Sequence, residues 1–295
     1  MCPAGKNNVV GLKPTTGLVS RDAVIPASYK QDTVGPCSRT VKDSAYILTQ
    51  IAGKIPLDPR TDNIPFDTIP DFAASCQGPD LSGLRIGVPR NAFPGIGSVE
   101  DQAFTEALET LSQAGAQIVE ETNFLAAEEY RDLPDADKLM VVHADFKVSI
   151  AKYLHSLVTN PNNLHTLQDL IEYTKTHEEE DYPARNVAQF ESAQAIDIDS
   201  QVYKHVVTRE QYIAGEGGII GALKRHNVDV LVVPTAAVTA VTFAAIAGTP
   251  ALSVPLGFLP PDTPVKKDSK SDLITSGPNI PYVVRWIQFW SSIAD

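Results

Sequence analysis

A chain of 295 residues, 43% of them hydrophobic, has ample material for a core, since at this length folding buries about 75% of the surface that the unfolded chain exposes. The 24 Lys and Arg against 36 Asp and Glu leave a net charge of −12, which argues against nucleic acid or an anionic membrane as the main partner, because each needs a basic face. Three cysteines, Cys2, Cys37 and Cys76, stand far apart with no C-x-x-C and no clustered histidines, so neither a disulfide framework nor a metal site is expected, and a reducing, cytoplasmic setting is.

Gly5-Lys6-Asn7-Asn8 is polar and permissive and reads as irregular. Val9 to Leu12 then reads as a short strand. Lys13-Pro14-Thr15-Thr16-Gly17 ends that strand, because Pro14 donates no backbone N–H and Gly17 tolerates positive φ. Leu18-Val19 resumes an apolar run, Val34-Gly35-Pro36 breaks the chain again, and Ala45, Leu48, Ile51 and Ala52 fall at helical spacing with Gly53 placed to stop the helix. Ile55 to Pro79, rich in Pro and Asp, reads as a long surface excursion. Leu84 to Val88, a helix capped at Ser98 that carries Phe104, Leu108 and Leu111 on one face, and Gln117 to Glu120 make a βαβ unit.

From Asp135 the pattern is helical, with Leu139, His143, Phe146, Ile150 and Leu157 on one face. A further helix runs from Leu167 through Ile171, after the break at Asn160-Pro161-Asn162-Asn163. His143 and His155 read as packed or solvated rather than as ligands, and Glu178 to Asp181 as a solvated loop. Glu191 to Ile213 predicts one long helix with Val202, Val206 and Val207 inward, broken at Gly215-Glu216-Gly217-Gly218. Val230 to Pro261 is uncharged and longer than the ~20 residues of a bilayer span, but Pro234, Gly248, Pro250 and Pro255 divide it into a buried strand (Val230 to Val233), a loop or short helix, and a second buried strand (Ala251 to Val254). No membrane span is expected. No secretory leader is expected either, since Met1-Cys2-Pro3 leads into polar residues.

Six phrases in this order carry a resemblance: CPAGKNNVVGLKPTTGLVSR from Cys2, VIP from Val24, QDTVGPCSRTVKDSA from Gln31, LRIGVPR from Leu84, DVLVVPT from Asp229 and AAIAGTPALSVPLGF from Ala244. Together they resemble the amidase signature family, nearest its fungal and bacterial amidases of broad substrate range, from Met1 to about Pro281. The resemblance implies an α/β fold, a mixed β-sheet flanked by helices, truncated here on the N-terminal side and at the C-terminus, where VVRWIQFWSSIAD has no family likeness. It implies one incomplete amidase-type domain over residues 1–295, with 135–227 a predominantly helical insertion or cover.

The family hydrolyses linear carboxamide C–N bonds with a serine nucleophile, a second serine on a cis peptide bond and a lysine. The resemblance puts all three before Met1, the nucleophile in a D-G-S motif just ahead of Cys2-Pro3-Ala4. Taken alone, the chain is therefore expected to be inactive, with no cofactor and no metal. Residues here would shape the pocket: Cys2, Pro3 and Ala4 orienting the nucleophile, Asp32 anchoring its loop through backbone N–H groups, and Ala247, Gly248 and Thr249 approaching the acyl or leaving group. The expected partner is a small-molecule amide, with no nucleic acid and no membrane, and a homo-oligomer is left open. Two alternatives stand beside this reading: a catalytically inactive family member or gene fragment, and an A-type amidotransferase subunit.

Overall fold

The computed structural model describes residues 2–78, 80–95, 97–234, 237–264, 266–267, 274–276 and 281–288. In chain order the elements are α1 (Cys2–Lys6), β1 (Val10–Lys13), β2 (Cys37–Ser38), α2 (Val41–Ile51), β3 (Arg85–Val88), α3 (Ser98–Gln113) and β4 (Gln117–Glu120). Six helices follow, α4 (Ala127–Asp132), α5 (Asp135–Ser156), α6 (Leu167–Thr176), α7 (Ala188–Gln194), α8 (Gln201–Ala214) and α9 (Ile219–His226). The chain then returns to strands with β5 (Val230–Pro234), α10 (Val238–Ile246), β6 (Ala251–Phe258), β7 (Lys266–Lys267), β8 (Ile274–Ser276) and β9 (Pro281–Gln288). It divides into two compact units: Met1–Ser20, Thr33–Glu128 and Ile213–Asp295 in one, Arg21–Asp32 and Glu129–Tyr212 in the other.

The first unit is built on a seven-stranded mixed sheet of order β2-β1-β6-β9-β5-β3-β4. β3 pairs in parallel with β4 and β5, whereas β9 runs antiparallel to both β5 and β6, and β1 antiparallel to β6 and β2. β5 is buried along its whole length, as a continuous apolar run between neighbours should be. β3, α3 and β4 form the expected βαβ unit, with Phe104 and Leu108 buried and Leu111 half-buried. β9 brings Val283 to Gln288 into the middle of the sheet. So part of the tail without family likeness is a central strand. β7 and β8 pair separately as a two-stranded sheet.

Several expectations in this unit are corrected. Gly5 and Lys6 are helical, not irregular. Pro3 suits the first turn of α1, and Asn8, at φ 51°, takes the left-handed conformation that ends a helix while Val9 N–H bonds Ala4 O at 3.1 Å. α1 seats against β1, where a Cβ on Gly11 would come within 2.4 Å of Ala4 Cβ. Ser98 is the first helical residue of α3 rather than its cap, which is Gly97.

Residues 55–78 are not a simple surface excursion. Asp58 caps a 3-10 turn, Pro59–Asn63, and Thr61 Oγ1 donates to Asp58 O (2.8 Å) while accepting from Ile55 N–H (2.8 Å). Ile64 is buried with Leu18, Val19 and Leu48, and Phe66, Ile69 and Phe72 pack on that cluster.

The second unit is helical. Ile150, Leu154, Leu167, Ile171, Val187 and Ala193 form its core, with Phe146 and Phe190 stacked at 5.3 Å. The buried face of α5 is Val141, Ala144, Ile150 and Leu154, and the expected members Leu139 and Leu157 are exposed. The single helix expected over 191–213 is two. Asp197 and Ser200 break it, because Ser200 Oγ donates to Asp197 O (2.7 Å) and accepts from Tyr203 N–H (3.1 Å), opening α8 afresh. Val206 is buried there, Val207 half-buried, and Val202 exposed.

Candidate functional site

Two motif segments of the sheet unit meet at the end of β1. Lys13 Nζ donates to Thr249 O at 2.8 Å and to Pro14 O at 3.3 Å, and Thr16 N–H donates to Gly248 O at 3.0 Å. These bonds tie the 14–18 turn to the loop between α10 and β6. Gly248 has φ +68°, a conformation that suits glycine, and a Cβ there would stand 3.2 Å from Thr16 Oγ1. Burial lowers the Lys13 pKa to about 8, the expected effect on an ammonium taken out of water.

Beside this junction lies a cavity of about 190 Å³. Its walls are Thr15 to Leu18 from the turn, Ala247 to Pro250 from the loop, and Arg60 with Asn63 to Phe66 from the 3-10 segment. The walls are mainly apolar, with Arg60 their charged residue and no carboxylate among the described lining residues. Among the described residues Thr16 Oγ1 and Thr249 Oγ1 are buried without a hydrogen-bond partner, and Thr249 is 2% exposed.

The residues singled out from sequence fall in three places. Ala247, Gly248 and Thr249 form one wall of the cavity. Cys2, Pro3 and Ala4 open α1, with Ala4 buried over β1. Asp32 lies in the helical unit, where its Oδ2 accepts from Ala27 N–H (2.7 Å) and Ser28 N–H (2.9 Å) and closes the 27–32 turn. Within the same unit Ser28 Oγ donates to Asp145 Oδ2 (2.7 Å) and Lys30 pairs with Asp145 at 3.2 Å.

Lys13 and the 60–66 wall were missed as site residues. A lysine inside an otherwise apolar strand end was the available signal for the first. Ile64-Pro65-Phe66, apolar within a Pro- and Asp-rich stretch, was the signal for the second. His143 Nε2 meets Gln189 Oε1 at 2.9 Å and His155 Nδ1 meets Ala151 O at 2.7 Å. Among the described residues no three His, Cys, Asp or Glu side chains gather to hold a metal, and no helix is long and apolar enough to cross a membrane.

Comparison with known proteins matches the same segments. The family model described as Amidase covers residues 1–249. An Arthroderma benhamiae protein named as an amidase is 41% identical over 98% of this chain and 49% of its own length. The peptide amidase of Stenotrophomonas maltophilia aligns in structure with a TM-score of 0.76 and 30% identity, over 99% of this chain and 57% of that one. The A-type subunit of the glutamyl-tRNA(Gln) amidotransferase from Trichodesmium erythraeum is 42% identical, but over only 39% of this chain and 24% of its own length. The chain thus spans about half the length of the curated amidases it matches. With the family's segments joined at the end of β1, and the match extending over most of the sequence, the chain belongs to the amidase signature family.

Proposed function

We propose that this chain is the pocket-bearing part of an amidase that hydrolyses linear carboxamide C–N bonds. One observation carries the reading: the K-P-T-T-G turn and the A-x-x-G-T-P loop, far apart in sequence, are bonded together through Lys13 and Thr16 and wall one cavity. The nucleophilic serine, the bridging serine and the lysine of the family's chemistry would be supplied by sequence ahead of Cys2-Pro3-Ala4. The serine Oγ attacks the amide carbon, its proton passing through the second serine to the neutral lysine and on to the leaving nitrogen. Water then cleaves the acyl-enzyme to acid, while backbone N–H groups hold the oxyanion in both steps.

Within that scheme Cys2, Pro3 and Ala4 fix the turn after the nucleophile, Asp32 holds the 27–32 turn, and Ala247, Gly248 and Thr249 contact the substrate. The unit of function is one amidase-type domain, to which 135–227 is a helical insertion. The acidic charge supports a small neutral amide rather than nucleic acid as ligand, in a cytoplasmic setting.

The test compares this chain with one extended through the genomic reading frame upstream, assayed on a panel of p-nitroanilides and simple carboxamides. The extended chain is expected to turn over and to lose activity with a serine-directed inactivator, and the 295-residue chain to be inactive. Inhibitor-sensitive turnover by the 295-residue chain alone, or an upstream frame with no Asp-Gly-Ser motif, overturns the reading.

A further inference from the structure

The cavity at the end of β1 carries a polar demand that the described residues do not meet. Among the described residues neither Thr16 Oγ1 nor Thr249 Oγ1, on two adjacent walls and both buried, has a partner. An unpaired buried hydroxyl is destabilising, and valine would fill the same space without that cost. Their backbones are fixed, because Lys13 holds Thr249 O and Gly248 O holds Thr16 N–H. What remains free at each residue is χ1, and a turn about it exchanges the hydroxyl with the γ-methyl of the same side chain.

Size and charge narrow what could satisfy these hydroxyls. An apolar cavity of about 150 Å³ holds benzene, so about 190 Å³ accommodates a ring of that size with a small substituent. Leu18, Ile64, Pro65, Phe66, Ala247 and Pro250 supply an apolar wall for the ring. A cationic group would find no carboxylate among the described lining residues, so its desolvation would go uncompensated.

We propose that this cavity is the subsite for the non-reacting end of the amide substrate, a benzene-sized group bearing a neutral hydrogen-bonding substituent that the Thr16 and Thr249 hydroxyls read after rotating about χ1. The word substrate rests on the amidase reading. The preference itself is a binding property, and it is measured without turnover.

The experiment titrates the 295-residue chain with benzamide, toluene and benzylamine by ligand-observed NMR. Benzamide should bind about two- to tenfold tighter than toluene, the range that one hydrogen bond of ordinary net strength supplies. Benzylamine, charged at neutral pH, should bind more weakly than either. Thr16→Val and Thr249→Val keep the shape and remove the hydroxyl, so each should bring benzamide toward the affinity of toluene. Both variants should melt no lower than the parent in the absence of ligand, whereas a threonine with a purely structural bond would lose stability. Ala247→Phe, which fills the cavity, should abolish binding of both neutral probes. Equal affinity for benzamide and toluene, a benzamide preference that survives both valine variants, or no binding of either neutral probe overturns the subsite. Loss of turnover in the extended chain would overturn the amidase reading and leave these binding ratios untouched.

Discussion

The sheet unit and the helical unit each bury an ionisable side chain away from its usual pKa, with different neighbours and opposite consequences. Lys13 at the end of β1 is held by two backbone carbonyls, and burial alone lowers its pKa to about 8. Glu210 in α8 is raised to about 7, first by burial, with the Asp145 charge adding to the rise and the Lys30 charge opposing it. Asp145 already engages both Lys30 and Ser28 Oγ, so the one lysine is largely committed before Glu210 competes for it. Carbonyl dipoles on a fixed turn can hold a cation with no counter-charge, at the expense of its basicity. Two carboxylates facing one lysine leave one of them protonated near neutrality.

The strongest way to break the comparison is to cut each core separately. Leu231, fully buried in β5 between β3 and β9, should cost about 3–5 kcal/mol when changed to Ala, and Ile150→Ala in α5 about 2–5 kcal/mol. Hydrogen exchange reads the outcome region by region. Leu231→Ala is expected to speed exchange in β3, β5 and β6 while α5 and α6 keep their protection, and Ile150→Ala to do the reverse. If either change speeds exchange equally in both units, they unfold as one block.

The titrations sharpen the comparison at a smaller scale. Between pH 8 and 10.5 the folded chain has released the Lys13 proton while the unfolded chain still holds it, so stability rises with pH over that window, by at most about 3 kcal/mol. Between pH 4.5 and 7 the folded chain keeps a proton on Glu210 that the unfolded chain has lost, so stability falls as pH rises, again by at most about 3 kcal/mol. Urea midpoints across pH should show both slopes. Lys13→Met should flatten only the alkaline one and Glu210→Gln only the acidic one. An unchanged alkaline slope in Lys13→Met would show that Lys13 is not the group responsible.

The same contrast governs what could be read from sequence. In the sheet unit the strands are short apolar runs set between Gly, Pro and Asn, and β1, β3, β4 and β5 fall where those breaks put them, whereas β6 starts at the expected Ala251 but runs through Pro255 to Phe258. Most of the family phrases lie in this unit too. The 60–66 wall was not legible, because Ile64 and Phe66 become core only when Leu18, Val19 and Leu48, distant in sequence, arrive to cover them. In the helical unit periodicity located α5 and α6 but misjudged faces. Leu139 and Leu157 fit the period, yet burial follows Val141, Ala144, Ile150 and Leu154, which a neighbouring helix selects. The break between α7 and α8 depends on Asp197 and Ser200 bonding locally, a competition with helix that apolar spacing does not register. Thr16 and Thr249 line one cavity from more than two hundred positions apart, and no local pattern announces it.

The smallest effect tests how each unit starts its helices. Thr40 caps α2 in one direction, its Oγ1 accepting from Asp43 N–H at 3.1 Å. Thr166 caps α6 reciprocally: its Oγ1 accepts from Asp169 N–H at 3.1 Å, and Asp169 Oδ2 accepts from Thr166 N–H at 2.9 Å and from His165 N–H at 2.8 Å. Those two backbone N–H groups hold the Asp169 carboxyl below its usual pKa, so its contribution is present above that usual value and is lost as pH falls through the lowered one. Thr166→Ala removes one bond and loosens the residue whose N–H supports the second, for a cost of about 1 kcal/mol. Thr40→Ala removes one bond only and should cost less. Exchange at the first-turn amides of α6 and α2 measures both. Equal costs would mean that the Asp169 carboxylate keeps its backbone bonds without the threonine hydroxyl, and that the reciprocal cap acts as two independent halves.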